Sequence, residues 1–300
     1  MMKTVISISL GSSVRDFDQI MLFNNYQVRV IRRGTDGDTS LAAKLIQDHD
    51  GKIPFIGLGG VNKYYRWGKD KYPCPLGIKL ANLAKNSKVV DGSSIKKAFD
   101  KQAFNLLKAH TSLRTKKVLI VSVLDRPHLV EFCDAEACSY IIGDAIFALK
   151  VPLPIYSHRI FGIAARLTMP FLRHIPIQYL YPTGSKQDNI KPGYAASYVK
   201  TADVICGDFN MFKSQMPTEL NNKIILASTV TRKDAAMVQE RGASALITSS
   251  PYMYGRALGA NLWEAVLSTI NKRLLTEKDV EKIVHELKIQ PSILQFKEIL

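Results

Sequence analysis

The 300-residue sequence has few cysteines, no long apolar run and no glycine-rich phosphate loop. Its cysteines form no C-x-x-C pair and no metal-ligand spacing, so we expect no metal site, and free thiols in a reducing cytoplasm. No stretch approaches the ~20 apolar residues of a membrane span, so we expect none. The first segment becomes too polar after Leu10 for a signal peptide and is expected to form a strand. The four cysteines are Cys74, Cys133, Cys138 and Cys206.

Acidic residues are also scarce, since 26 acids stand against 41 lysines and arginines and give a formal charge of +15. A specific nucleic-acid partner is not expected, because the lysines are scattered instead of forming a stripe or a tail. A basic surface of this kind favours attraction of a small anionic or polyhydroxylated substrate.

Apolar runs of strand length predict an α/β fold. Continuous runs such as KVLIV, DVIC and KIILA suit parallel strands buried on both faces, and they alternate with helical segments. We predict a small N-terminal α/β substrate-binding domain with a linking helix (1–110) and a doubly wound, mostly parallel Rossmann-like domain (111–300). The second domain includes a helical insertion at about 150–200 and C-terminal helices. Strands are predicted at 5–9, 28–32, 54–57, 88–90, 117–122, 139–143, 203–206, 223–227 and 244–248.

The loop after the first strand of the second domain lacks the glycines of a dinucleotide-binding site. A G-x-G-x-x-G loop normally follows that strand, and an acid about 20 positions further on binds the ribose. Here the loop reads SVLDRPH (122–128), although Asp144 stands at the expected distance and favours NAD over NADP. Arg126 suits a phosphate, whereas Asp125 repels one. The residues alone disfavour a standard NAD site and leave a rearranged site, or a helix cap at Asp144, open.

Other candidates for this site lie at predicted strand ends and helix starts. A second Gly-Asp pair ends a later strand, which places its acid at the edge where ligands bind in open α/β sheets, with a helix cap as the alternative. A further arginine leads into a helix whose N-terminus suits a phosphate or carboxylate. The predicted cofactor-binding residues are Ser122, Arg126, Asp144, Asp208 and Arg256.

Three loops of the N-terminal domain concentrate hydroxyl, amide and charged groups. LGSS (10–13), RRGTDGD (32–38) and GLGG (57–60) each accompany a predicted strand, which suits a polyhydroxylated or anionic ligand, although turns select Gly, Ser and Asp anyway. The turn YPTGSKQ (181–187) is a candidate lid. The predicted substrate-binding residues are Ser12, Ser13, Arg33, Thr35, Asp38, Gly59, Gly60, Tyr181 and Lys186.

Two basic features have both a functional and a plain structural interpretation. Lys96, one turn into a helix near Asp91, suits an acid/base role in a carbinol–ketone interconversion, or is a solvated lysine at a helix start. Arg159, Arg166 and Arg173 recur every seven residues with apolar residues between them. They predict a basic amphipathic helix that either lies on an anionic membrane surface or packs on its own domain.

Together these segments resemble a bacterial, largely clostridial family named quinate 5-dehydrogenase. The resemblance implies NAD- or NADP-linked oxidation of a polyhydroxylated carboxylate such as quinate or shikimate, in a fold like that of shikimate dehydrogenases. It also implies that Lys96 is catalytic with Asp91 or Asp36, and the family loop carries a glycine near 127–129 that is absent here. The motifs are SISLGSS (7–13), RRGTDGD (32–38), GLGG (57–60), VVDGSSIK (89–96), IIGDAIFAL (141–149), YPTGSKQ (181–187), ICGDFNMF (205–212) and GRALGANLWEAV (255–266).

The resulting prediction is a cytoplasmic oxidoreductase that holds NAD or NADP, with NAD favoured, against its second domain. The alternative is a non-redox protein that binds a small anionic ligand and keeps a degenerate Rossmann domain. Formation of a homodimer is left open.

Overall fold

Two mostly parallel β-sheets form the framework of the protein, whose computed structural model describes residues 2–296. The strands of the first half are β1 (Lys3–Ser9), β2 (Phe17–Phe23), β3 (Tyr26–Gly34), β4 (Phe55–Gly59), β5 (Tyr64–Trp67), β6 (Asp70–Pro73) and β7 (Lys88–Val90). The later strands are β8 (Lys117–Ile120), β9 (Ser139–Ile142), β10 (Val204–Asp208), β11 (Ile224–Ser228), β12 (Ala245–Thr248), β13 (Tyr252–Met253), β14 (Arg256–Ala257) and β15 (Ser292–Gln295).

Helices connect these strands, together with short 3-10 turns at Ser13–Arg15 and Ser185–Gln187. The helices are α1 (Thr39–His49), α2 (Pro75–Ala81), α3 (Lys96–His110), α4 (His128–Ala135), α5 (Asp144–Phe147), α6 (His158–Leu172), α7 (Ile177–Leu180), α8 (Ala195–Thr201), α9 (Phe209–Lys213), α10 (Arg232–Glu240), α11 (Ala260–Asn271) and α12 (Glu277–Glu286). Side chains at several N-caps fix where helices begin. Asp38, for example, accepts hydrogen bonds from the first amides of α1.

Both sheets reverse their strand order at an internal position. The first sheet has the order β2-β3-β1-β4-β7, in which only the β2–β3 hairpin is antiparallel. The second has the order β15-β12-β11-β10-β8-β9, with β15 as its antiparallel edge. Numbered from β8, its five parallel strands have the order 2-1-3-4-5 of flavodoxin-like sheets and not the 3-2-1-4-5-6 order of dinucleotide-binding folds.

Each sheet is buried on both faces, as its continuous apolar runs require. In β8, Val118 and Ile120 pack into one core, while Leu119 and Val121 (after the strand end) pack into the core on the opposite face. Helix α3 bridges the halves, since Phe99 joins a core of the first sheet and Phe104 joins one of the second.

The chain passes between the halves more than once. Helix α11 follows the second sheet in sequence but packs against β1 and β4 of the first sheet. The start of α11 lies very close to the loop after β7. Gly92 has φ +87°, and a Cβ there would lie 2.6 Å from the Cβ of Ala260. The C-terminal helices were expected to pack on the second domain. Instead, the buried apolar side chains of α11 and α12 pack with those of β1, β2 and β3 in one core of the first sheet.

The predicted α/β class with parallel sheets is confirmed, and every predicted strand is present. The division at residues 110 and 111 stays a prediction. No helix within residues 2–296 is long and apolar enough to cross a membrane.

Candidate functional site

A cavity of about 310 Å³ lies between the two sheets. In open parallel sheets, ligands bind beyond the carboxyl ends of the strands, where the strand order reverses. In the first sheet this position lies between β1 and β4, and in the second between β8 and β10. The loops that follow all four strands line the cavity, so the two preferred binding positions face each other across one space.

The cavity has a polar side and an apolar side. The strand-end loops contribute hydroxyl, amide and charged groups. The insertion between β9 and β10 contributes apolar side chains, including Phe161 and Met169 from the buried face of α6. A molecule that fills this space therefore meets polar groups at one end and hydrocarbon at the other.

Lys96 lies at the polar side but pairs with a residue that the sequence analysis assigned no role at this site. Its Nζ lies 2.6 Å from Oδ1 of Asp125 and 3.0 Å from Oδ1 of Asn62, whose own amide donates to Asp125 at 2.6 Å. Burial raises the pKa of Asp125, but the charges of Lys96 and Arg126 outweigh it and hold that pKa well below its usual range. Asp91, the expected partner, accepts the backbone N–H of Lys63 at 2.7 Å.

Arg126 lines the cavity with its charge already balanced by the protein. Its Nη1 bonds both carboxylate oxygens of Asp100, at 2.6 Å for Oδ1, and its Nη2 donates to Ser228 Oγ at 2.8 Å. His128 Nε2 lies 2.7 Å from the same carboxylate. This buried cluster connects α3 to the loop after β8 and to the last residue of β11. Because Asp100 balances its charge, Arg126 is poorly suited to bind an anionic ligand.

The two Gly-Asp carboxylates are also engaged by the protein. Asp144 accepts the backbone N–H groups of Val123 at 2.7 Å and Leu124 at 3.0 Å. Asp208 caps α9 and accepts the Tyr181 hydroxyl at 2.9 Å. Burial raises the pKa of both acids, for Asp144 to about 6.

We expect the raised pKa of Asp144 to appear in the pH dependence of stability. The folded chain holds this proton more tightly than the unfolded chain, so the contribution is largest below pH 4 and is lost as the pH rises towards 6. The shift corresponds to about 3 kcal/mol. The unfolding free energy of Asp144→Asn minus that of the wild type should therefore increase by about 3 kcal/mol between pH 4 and pH 7. Urea denaturation across this pH range measures the difference. Parallel pH profiles of the two proteins would contradict this assignment.

Arg256 differs from every other cation of the cavity. Arg15 pairs with Asp234 at 3.1 Å and Arg32 with Asp16 at 2.7 Å. Arg256 pairs with no carboxylate of residues 2–296, and its buried Nε has no hydrogen-bond partner there. Its guanidinium lies 4.0 Å from the ring centroid of Phe17, and Nη1 donates to the Arg15 carbonyl at 3.2 Å. Burial and the nearby Arg15 charge lower the pKa of Arg256.

The structure brings together ten of the predicted site residues and leaves seven outside the cavity. Those that line it are Asp91, Lys96, Gly59, Gly60, Ser122, Arg126, Asp144, Tyr181, Asp208 and Arg256. Those outside are Ser12, Ser13, Arg33, Thr35, Asp36, Asp38 and Lys186.

Most of the outlying residues hold the loops of the first half in shape. Asp36 Oδ1 accepts the Ser13 N–H at 2.9 Å, and the Ser12 N–H donates to Gln187 at 3.1 Å. Asp38 caps α1, and the Arg33 guanidinium donates to the carbonyls of neighbouring strand residues. The amides and charged groups in these contacts are used within the fold, as expected where turns select such residues.

Sequence reasoning missed several polar residues of the cavity. Arg15 lies just beyond the LGSS motif, and its guanidinium donates to Asn210 and to the Thr229 carbonyl. Asn261, on α11, donates to Ser7 Oγ at 2.6 Å. The only signal for Arg15 is its place after a strand-end loop. No sequence signal pointed to Asn261, because its helix was assigned to the second domain.

Comparison with protein families gives two matches that together cover almost the whole chain. Residues 94–296 match a family model described as domain of unknown function (DUF8754). Residues 4–91 match one described as domain of unknown function (DUF8753). No curated protein matches the sequence.

Similar solved structures include sugar-binding proteins of transporters. A substrate-binding protein of a sugar ABC transport system from Bordetella parapertussis is 11% identical, with coverage of 98% of this chain and 89% of that one and a TM-score of 0.39. A Rhodopseudomonas palustris protein is 9% identical, with coverage of 99% and 97% and a TM-score of 0.44. A periplasmic solute-binding protein of an ABC transporter from Actinobacillus succinogenes, with bound D-allose, is 9% identical, with coverage of 98% and 97% and a TM-score of 0.37.

Neither matching family model describes quinate 5-dehydrogenase, and the residues predicted to bind the cofactor are held by the protein itself. The predicted membership in that family, the oxidoreductase activity on quinate or shikimate and the NAD or NADP cofactor are therefore wrong. The local geometry gives the physical reason. Both carboxylate oxygens of Asp144 already accept backbone amides, from Val123 and Leu124, and Arg126 is held by Asp100 instead of a phosphate.

Proposed function

For this chain, which belongs to the family described as domain of unknown function (DUF8754), we propose a function in binding one small organic anion in the cavity between the two sheets. The ligand is a carboxylate or a phosphate that carries hydroxyl groups and an apolar portion. This function corresponds to the non-redox alternative of the sequence analysis.

Arg256 is the observation that carries the proposal. Even a half-buried cation without a counter-charge is costly, and a buried N–H without an acceptor adds to that cost. Arg256 has both deficits on the wall of the cavity, whereas Arg15 and Arg32 have carboxylate partners. An anionic group of a ligand supplies the acceptor and the counter-charge together.

The remaining wall residues support the rest of the ligand's chemistry. Ser228, Thr229 and Asn210 lie on the polar side, where they are suited to hydroxyl groups. Leu153, Phe161 and other apolar side chains of the insertion form the opposite side, and burial there rewards hydrocarbon at about 25 cal/mol per Å². A neutral sugar such as D-allose lacks both the charge and the apolar portion.

Thermal denaturation with matched acids and neutral analogues tests the proposal. The probes are 3-phenyllactate, gluconate, phenyllactamide and D-allose. We expect an acid at hundredfold excess over its Kd to raise the Tm by about 4 °C, because a ligand that binds only the folded state stabilises it by mass action. The proposal fails if the neutral analogues stabilise the protein as much as the acids do, or if neither acid raises the Tm.

The compartment belongs to the same proposal. All four cysteines are buried free thiols, which favours the reducing cytoplasm predicted from the sequence. Fractionation of cells that produce the full-length protein tests this location, and recovery in the periplasmic fraction would overturn it.

A further inference from the structure

Helix α6 carries apolar side chains on two opposite faces. Phe161, Ala165 and Met169 form the buried face that meets the cavity. Four large apolar residues recur at helical spacing on the other face and are exposed, namely Ile160 (61%), Ile163 (61%), Leu167 (69%) and Phe171 (77%). A contiguous row of this kind on a monomer indicates an interaction surface. We call these four residues the α6 stripe.

The charged side chains of the segment that carries the α6 stripe have one sign. Residues 145–187 contain no aspartate or glutamate, but they contain five lysines and arginines and two histidines. Arg166 pairs with Asp70 at 2.7 Å, whereas Arg159 and Lys150 are exposed and form no ion pair within residues 2–296. The arginines recur every seven residues and lie on the flank of the helix between the stripe and the buried face.

We propose that the α6 stripe binds the surface of a lipid bilayer with anionic headgroups. An interfacial helix buries an apolar face at the acyl boundary while cations along its flank meet negative headgroups. Exposed Tyr156 and Tyr179 lie before and after α6, and aromatic residues of this kind are enriched at membrane interfaces. This inference does not depend on which ligand occupies the cavity.

A second copy of the chain is the less suitable occupant. A symmetric dimer through the stripe pairs α6 with itself, so Arg159 and Arg173 meet the same positive segment of the partner. No acid of residues 145–187 is available to balance them. An anionic bilayer satisfies the apolar and the cationic groups at once.

Sedimentation with vesicles tests the proposal on the full-length protein. We expect it to sediment with vesicles of equimolar phosphatidylcholine and phosphatidylglycerol but not with phosphatidylcholine alone, and to be released by salt. The double variant Leu167→Asp with Phe171→Asp should bind about a hundredfold more weakly or worse, because two large side chains no longer enter the bilayer. The matched control changes Ile20 and Leu274, which are 56% and 51% exposed elsewhere, to aspartate and should keep most of the binding.

A milder pair of variants guards against misfolding. Arg159→Gln should weaken vesicle binding about fivefold, whereas Lys44→Gln, which removes an exposed cation of α1, should not. The proposal is overturned if the wild type stays in the supernatant with anionic vesicles or binds both lipid mixtures equally. It is also overturned if the stripe variant binds like its control, or if sedimentation velocity shows that the variant turns a dimer into a monomer.

Discussion

Arg256→Gln is expected to weaken the binding of an acid that stabilises the protein by about a hundredfold, which corresponds to about 3 kcal/mol. The variant removes the one cation of the cavity that has no carboxylate partner within residues 2–296. No carboxylate within residues 2–296 loses a partner, so the unfolding free energy should change little. Isothermal titration calorimetry with the most stabilising acid of the panel measures the effect.

Two matched variants separate the charge from the side chain. Arg256→Lys keeps the positive charge but not the planar donors, so it should recover part of the affinity. Arg66→Gln removes an exposed arginine that pairs with Glu277 outside the cavity, and it should leave binding unchanged. If Arg256→Gln binds the acid as tightly as the wild type, the anion is held elsewhere and the assignment is wrong.

The central strands could be predicted because each one consists of consecutive apolar residues. Central parallel strands are covered on both faces and therefore read as unbroken apolar runs, as in KVLIV and KIILA. Strand β15 was missed because it is a short antiparallel edge whose pairing partner lies far away in sequence, with Ala245 opposite Gln295. Nothing local specifies that partner.

The placement of α11 shows what periodicity leaves open. Its residues 262–269 are all buried, so the sequence signals a core helix clearly. An apolar helix face shows that the helix packs in a core, but it does not show which sheet the helix packs against. The chain connects α11 to the second sheet, while close packing at Gly92 fixes it to the first. The missed Asn261 follows from that error.

The positions of the cavity residues were easier to predict than the ion pairs that these residues form. Strand-end loops could be located because the carboxyl ends of parallel strands gather on one edge, and most of the predicted cavity residues lie there. Which charges neutralise each other could not be read from spacing. Lys96 forms its ion pair with Asp125, which follows β8, and not with Asp91. Arg126 forms its ion pair with Asp100 of α3.

Arg126→Met should destabilise the protein by about 3–5 kcal/mol, the largest stability effect that we expect of a single substitution. Asp100 is fully buried, and within residues 2–296 no lysine or arginine other than Arg126 lies within hydrogen-bond distance of its carboxylate. Removing Arg126 leaves that carboxylate desolvated, and a buried unpaired charge costs more than the pair contributes. Urea denaturation at neutral pH gives the difference in unfolding free energy.

The double variant Asp100→Asn with Arg126→Met distinguishes an uncompensated charge from lost packing. Because Asp100→Asn removes the stranded charge, the double variant should be more stable than Arg126→Met, and the coupling between the two sites should exceed about 2 kcal/mol. If the two losses simply add, then the arginine acts through packing alone. If Arg126→Met instead keeps full stability but loses ligand binding, the guanidinium serves the cavity, and the division of roles between Arg126 and Arg256 is reversed.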